Sequence, residues 1–310
     1  MEGRRKMKIM TTGGRGFIGS HFVEKVLKFN NVLSVIDYDC MTYAASKSLP
    51  FDDNPKYEHV NQNIQDIQRL PPNIDYIVNF AAESHVDNSI ASPSIFIESN
   101  ILGVYNLLEL IRGKVYSRPQ LIHISTDEVY GDADDGDNHF DENHKLTPSN
   151  PYAGSKAAAE MMIMSYGRTF GIDYKITRST NNYGPRQYPE KLIPKCIDSI
   201  KSGKKIPLHG DGSYVRDWIH VEDNVSGIWY VLEYGENRNV YNISGNNPLS
   251  NIEVVKQVCS WFEIDDYKSH VEFVENRLGQ DARYSINSAK AEKLCWSREF
   301  GKGLTNYVKD

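Results

Sequence analysis

The segment Thr12-Gly-Gly-Arg-Gly-Phe-Ile-Gly19 constrains this chain more than any other part of it. It follows a short strand-like run, Lys8–Thr12, and opens a stretch, Gly16–Phe29, in which Ile18, Phe22, Val26 and Phe29 recur at three- and four-residue spacing. A strand, a tight turn and an amphipathic helix are expected in that order. Gly13, Gly16 and Gly19 stand three apart. The first permits the turn, the second lets a diphosphate approach the backbone, and the third lets helix and strand pack closely. N–H groups at the helix start then hold the anion. A glycine triplet alone is a weak signal, but the strand before it and the helix after it supply the context. An acid at the end of the second strand should receive the adenosine ribose hydroxyls. Asp37 and Asp39 both qualify in the next strand-like run, Val32–Asp39, and an acid there favours NAD over NADP, whose 2′-phosphate it would repel.

Tyr57–Ile64, Tyr76–Ala82, Gln120–Thr126 and Tyr174–Arg178 also read as strands, with helices at Pro93–Arg112 and Tyr152–Phe170. Within 93–112, Phe96, Asn100, Val104, Leu107 and Ile111 share one side, with Ile97, Ile101, Tyr105 and Leu108 beside them. Strands alternating with long helices indicate parallel βαβ units, hence an α/β, Rossmann-type doubly wound parallel sheet. Beyond residue 180 Pro and Gly become frequent and the elements shorten. Ser250-Asn-Ile-Glu253 forms a capping box that opens a helix reaching to about Phe262. The expected organisation is an NAD-binding Rossmann domain over residues 1–180 and a smaller α/β substrate lobe over 181–310. Their segments can interleave, and a ligand cleft should lie between them.

Composition narrows the partners. The chain has 310 residues, and its 41 acidic residues exceed its 35 basic ones for a net charge of −6, which argues against a nucleic-acid surface. No apolar run approaches bilayer length, and the polar, basic first seven residues read as a disordered leader without the apolar core of a secretion signal. Cys40, Cys196, Cys259 and Cys295 are far apart with no CxxC spacing. They read as reduced thiols of a cytoplasmic protein, with no metal site expected.

Two segments carry chemistry. Ile124-Ser-Thr-Asp-Glu-Val-Tyr-Gly131 ends a buried strand, and Asn150-Pro-Tyr-Ala-Gly-Ser-Lys156 opens a helix. Tyr152 and Lys156, four apart, share one helix face. A neighbouring ammonium and a positive nicotinamide both favour phenolate, so Tyr152 could act as a base, with Thr126 donating to the same substrate oxygen. The consecutive Asp127 and Glu128 suit a reaction with one proton removed and one delivered.

Together these motifs resemble the extended short-chain dehydrogenase/reductase family over nearly the whole chain. STDEVYG, with AAESHVD (81–87) and NNYGPRQYPEKLIP (181–194), resembles the nucleotide-sugar 4,6-dehydratases that act on dTDP-glucose or UDP-glucose. The resemblance implies that Tyr152, helped by Thr126, takes the O4 proton while NAD oxidises C4. Glu128 then removes the C5 proton as Asp127 protonates the departing C6 hydroxyl, and NAD returns its electrons to C6. It implies cofactor contacts at Gly13, Gly16, Phe17, Ile18, Gly19, Asn63, Ile64, Ala81, Ala82, Glu83, Ser99, Tyr152, Lys156 and Asn182. Through the match at Thr42-Tyr-Ala44 it favours Asp39 as the ribose acid. For the nucleotide-diphosphate sugar it implies Ser84, Thr126, Asn181, Lys191, Leu192, Pro207, His209, Arg216, Asn251 and Arg277.

The chain departs from the family pattern at Asn63, where Asp is usual, and at His209, where bacterial dTDP enzymes place Tyr. It departs again at Asn276-Arg-Leu-Gly-Gln-Asp281, which replaces Asp-Arg-Pro-Gly-His-Asp. A 4-epimerase or a decarboxylase on the same scaffold is the nearest alternative. A non-catalytic NAD-binding regulator would not need Thr126, Asp127, Glu128, Tyr152 and Lys156 together. Residues 157–164 are apolar on more than one side of their helix, so a homodimer through helices 93–112 and 152–170 is expected.

Overall fold

The computed structural model describes residues 5–114, 116–133, 139–276, 278–301 and 303–304. In it the alternating runs become a seven-stranded sheet of order β10-β6-β5-β4-β1-β2-β3. These strands are β1 (Met7–Thr12), β2 (Val32–Tyr38), β3 (Tyr57–Val60), β4 (Tyr76–Asn79), β5 (Gln120–Thr126), β6 (Tyr174–Ser179) and β10 (Asn239–Ile243). Every neighbouring pair is parallel. Because β1 lies between β2 and β4, the chain reverses its direction of travel across the sheet there. A crevice opens beyond the carboxyl ends of the strands at such a switch point.

Both faces of β1 are covered, so its side chains feed two cores. Ile9 packs with Phe22, Val26, Val35, Val78 and Ile228, while Met10 packs with Ile77, Leu107, Leu121, Ile163 and Ile176. The helix α1 (Phe17–Leu27) covers the first face with its three- and four-spaced apolar residues, and Phe22 and Val26 are fully buried. Burial of the Phe22 ring is worth about 2–3 kcal/mol, enough to set that helix against the sheet.

The strands end earlier than the apolar runs suggest. β3 stops at Val60, because Asn63 caps a 3-10 turn at Ile64–Asp66, its Oδ1 accepting from Gln65 N at 3.1 Å. β4 stops at Asn79, and the rest of its run turns toward the glycine turn. The helix Pro93–Arg112 carries a π-helical turn at Ile97–Leu102, and by length and composition it could cross a bilayer. This departs from the expectation that no such run exists. Glu98, Asn100, Asn106 and Glu109 break the linear pattern, yet Phe96, Val104, Leu107 and Ile111 are buried while Ile95, Ile97, Leu102 and Tyr105 are exposed apolar residues.

In the second lobe β7 (Asn181–Tyr183), β9 (Val215–His220) and β11 (Pro248–Ser250) form one small sheet. β8 (Ile206–His209) and β12 (Val271–Val274) form a pair. The helices 192–201 and 251–261 pack there around Ile193, Cys196, Leu208, Trp218, Val254 and Val258. The capping box forms: Ser250 Oγ accepts from Glu253 N at 3.3 Å, and Glu253 Oε2 accepts from Ser250 N at 2.7 Å. Residues 221–243 return to the first lobe, where the helix Val221–Tyr234 packs against α1 and β10 pairs with β6. Cys196 and Cys259 are buried thiols, and Cys40 and Cys295 exposed ones.

Candidate active site

A cleft of about 610 Å³ opens beyond the ends of β1, β4 and β5, and segments of both lobes line it. Of the described residues singled out above for cofactor, chemistry or substrate, all but Asp37 lie on its wall; Arg277 falls outside the described residues.

At one end the wall is mostly backbone. Gly13 has φ +72°, and its N–H donates to Tyr38 O at 2.9 Å. A Cβ on Gly13 would sit 2.6 Å from Ala81 N, and one on Gly19 would sit 2.2 Å from Gly13 O. Neither position has room for a side chain. Among the described residues no side chain caps the start of α1, so its first-turn N–H groups are available to an anion.

The two aspartates of the second strand separate. Asp37 is fully buried beneath the turn, where its Oδ1 accepts from Thr11 Oγ1 and Gly14 N, both at 2.8 Å. Burial pushes its carboxyl up to about 7, against the lowering pull of Thr11. Asp39 lines the cleft and accepts from Arg15 N and Met41 N at 3.0 and 2.8 Å. Asn63 and Ile64 after β3, Ala81, Ala82 and Glu83 after β4, and Ser99 in the π turn complete this end. A glycine cradle, an uncapped helix start and an acid at the neighbouring strand end fit a dinucleotide. Asn100, which the sequence did not single out for the site, clamps Glu83 by accepting from its N–H and donating to its carbonyl at 2.9 and 3.0 Å.

At the middle of the cleft, Thr126 ends β5 and caps a 3-10 turn at Asp127–Tyr130, its Oγ1 accepting from Glu128 N at 3.3 Å. Both carboxylates therefore emerge directly from the strand end. Asp127 is buried, and its Oδ2 has no partner among the described residues. Burial, then Glu128 and Asp217, push its carboxyl well above the usual range. Burial also raises Glu128, but Arg216 and Lys191 oppose the rise, and Oε2 accepts from Asn150 at 3.4 Å and Tyr284 at 3.5 Å. Adjacent carboxyls in unlike surroundings can divide the work: Asp127 keeps a proton to deliver, while Glu128 ionises to accept one.

Tyr152 sits in the first turn of the helix Pro151–Phe170, which Asn150 caps through Ala153 N at 2.9 Å. Burial, then Glu128, hold its phenol above the usual range, and the Thr126 hydroxyl opposes this. The sequence suggested that Lys156 would favour phenolate. Instead Lys156 Nζ donates to Ile124 O at 2.6 Å and lies 3.4 Å from His123 Nε2, and burial lowers its pKa to about 8. In the protein alone, desolvation of Tyr152 outweighs the lysine.

The other end of the cleft is built from side chains. Lys191 caps the helix Leu192–Lys201 by position and donates through Nζ to Ser84 O at 2.8 Å. Arg216 NH2 donates to Asp281 O at 2.8 Å, and its guanidinium lies 4.2 Å from the centre of the Tyr284 ring. His209 Nδ1 lies 2.7 Å from Glu275 O. Asn181, Asn182, Pro207 and Asn251 complete the wall. Sequence reasoning missed Tyr284, which donates to Asp281 Oδ2 at 2.7 Å and reaches Glu128 from far along the chain. Asn150 was within reach of that reasoning as the polar residue before Pro151.

Residues 10–304 match the family model described as GDP-mannose 4,6 dehydratase. The chain is 42% identical over 299 residues to low-salt glycan biosynthesis protein Agl12 of Haloferax volcanii, covering 95% of this chain and 94% of that protein. It is 39% identical over 334 residues to dTDP-glucose 4,6-dehydratase of Neisseria gonorrhoeae, covering 99% and 96%. Among solved structures it is similar to a double mutant of DesIV, a dTDP-glucose 4,6-dehydratase of Streptomyces venezuelae, crystallised with NAD. The TM-score is 0.89 at 39% identity, covering 95% of this chain and 93% of that one.

Proposed function

The chain belongs to the GDP-mannose 4,6-dehydratase family, and we propose that it is an NAD-dependent nucleotide-sugar 4,6-dehydratase, a hydro-lyase of deoxysugar biosynthesis. Its substrate is dTDP-glucose or UDP-glucose, and its product is the 4-keto-6-deoxyglucose nucleotide. One observation carries the reading: Asp127 and Glu128, in unlike surroundings, flank Thr126 and Tyr152 in the cleft that also holds the glycine cradle. A 4-epimerase needs the tyrosine but has no elimination for that pair to catalyse.

When bound, NAD would supply the oxidant for C4 and the reductant for C6, and its positive nicotinamide would offset the burial that keeps Tyr152 protonated. Tyr152 takes the O4 proton while Thr126 donates to the same oxygen. The ketone at C4 makes the C5 hydrogen acidic, and Glu128 removes it. Asp127 protonates the departing C6 hydroxyl, which leaves as water, and when C6 is reduced C5 takes a proton back from Glu128. The oxidation at C4 balances the reduction at C6, so no outside oxidant is consumed. Gly13, Gly16, Phe17, Ile18 and Gly19 would hold the cofactor diphosphate, Asp39 its adenosine ribose, and Lys156 would meet the cofactor beside Tyr152. Lys191 and Arg216 serve the sugar-nucleotide diphosphate, and Pro207 and His209 frame the base.

Residues up to about 180 make the dinucleotide-binding lobe and those beyond it the sugar-nucleotide lobe, with 221–243 returned to the first. The protein works in the cytoplasm as a homodimer. In support, Ile95, Ile97, Leu102, Tyr105, Met161 and Phe170 are exposed apolar residues on the two contacting helices 93–112 and 151–170. Sedimentation at micromolar concentration should show a dimer, and a monomer alone would contradict it. Incubation with dTDP-glucose and with UDP-glucose should yield a 4-keto-6-deoxy product from at least one. A galactose-configured product without loss of water would instead identify an epimerase.

A further inference from the structure

Lys156 carries three N–H donors, and two are directed into the protein. Its Nζ donates to Ile124 O at 2.6 Å and lies 3.4 Å from His123 Nε2. His123 sits within β5, and its other ring nitrogen, Nδ1, lies 3.0 Å from Asn79 Nδ2 on β4. Asn79 Oδ1 in turn accepts from Thr12 Oγ1 on β1 at 2.6 Å. A polar file thus crosses three strands, from Lys156 to the residue before Gly13, and all four of its members are buried. Buried polar chains are costly unless fully satisfied, and once satisfied they fix geometry.

We propose that His123 is a positioning residue for Lys156: its Nε2, with Ile124 O, holds the ammonium so that the third N–H is left for the cleft. This rests on the reading of Lys156 as the lysine that meets the cofactor. Burial, then the charge of Lys156, hold the imidazole pKa well below its ordinary value, so the ring is neutral and can accept. Acceptance at Nε2 puts the ring proton on Nδ1, with the Asn79 amide turned to present its oxygen there. The Thr12 hydroxyl permits that turn because it can accept as well as donate. Asn79 and Thr12 then fix the tautomer.

Two amide substitutions divide the ring. Asparagine reaches about as far as Nδ1 and keeps the Asn79 end, whereas glutamine reaches about as far as Nε2 and keeps the Lys156 end. In the full-length protein His123→Asn should weaken NAD binding about tenfold by equilibrium titration and lower kcat similarly, as expected for losing one charge-assisted hydrogen bond. KM for the sugar nucleotide should not change. His123→Gln should stay within about twofold on both measures. The triple variant His123→Leu/Asn79→Leu/Thr12→Val should recover Tm relative to His123→Leu, because of the file only the Lys156 N–H facing residue 123 then lacks a partner, yet it should not recover NAD affinity. Equal NAD affinities for His123→Asn and His123→Gln, or affinity that follows Tm across the set, would overturn the positioning role. Lys156→Met tests the underlying reading separately: unchanged NAD affinity there would remove both.

Discussion

The two ends of the cleft prepare for a diphosphate with different materials. At the cofactor end the anion site is made from the backbone: a left-handed Gly13, the start of α1, and a buried Asp37 that accepts from Gly14 N beneath the turn. At the sugar end the proposed site is made from side chains, Lys191 and Arg216, held by Ser84 O and Asp281 O. A backbone site has no room for added atoms and concentrates little formal charge. A side-chain site can lose one member and weaken by degrees. The net charge of −6 is therefore a poor guide to phosphate binding, because one site needs no cationic side chain and the other needs only a local few.

The comparison breaks most sharply at Gly19. Gly19→Ala places a Cβ 2.2 Å from Gly13 O and should abolish measurable NAD binding, and with it turnover; NAD titration checks this. An alanine that bound NAD normally would mean that the turn is not the anion site. Next in size is Glu128→Gln, at the middle of the cleft. Turnover should fall about 10³-fold, while the binding constants for NAD and for sugar nucleotide stay within about twofold.

The pH profile of the unaltered enzyme sharpens the same point. Glu128 must be ionised and its pKa is raised, so activity should fall as pH drops through a value above the ordinary glutamate range. Asp127 must be protonated and its pKa is raised further from the ordinary range, so activity should fall again as pH rises through it. Arg216→Met should have a graded effect at the sugar end. KM for the sugar nucleotide should rise about tenfold or more, while NAD affinity is unchanged.

The smallest effect on turnover belongs to Asp37. Its folded pKa of about 7 lies above the unfolded value, so its stabilising contribution is full below about pH 4 and is lost as pH rises through about 7. Asp37→Asn retains an oxygen for Thr11 and Gly14. It should flatten the decline in chemical-denaturation stability across that window, on the order of 2–4 kcal/mol for the unaltered protein, and leave NAD binding near normal.

The same contrast explains what could be read in advance. The glycine turn, the strand–helix alternation and the Thr126–Asp127–Glu128 and Tyr152–Lys156 pairs are local, and fixed spacing leaves a mark. Strand spacing alone does not separate Asp37 from Asp39, because residues two apart share one face of a strand; only the match at Thr42-Tyr-Ala44 favours Asp39. What divides them is the end of β2 at Tyr38, which lets Asp39 turn into the cleft. Strand ends were overrun where apolar residues continued into turns, as at Phe80-Ala81-Ala82. The π turn at Ile97–Leu102 left no signal, since its apolar spacing also suits an α-helix. Tyr284 reaches Glu128 from 156 residues away, and His123 looked like one more buried strand residue. Contacts of that kind depend on the assembled sheet, not on any short pattern.

The most direct test of the reaction follows one hydrogen. dTDP-glucose and UDP-glucose carrying deuterium at C4 should give a 4-keto-6-deoxy product with that deuterium at C6 of the same sugar. Deuterium retained at C4, or lost without appearing at C6, would contradict an oxidation at C4 balanced by a reduction at C6.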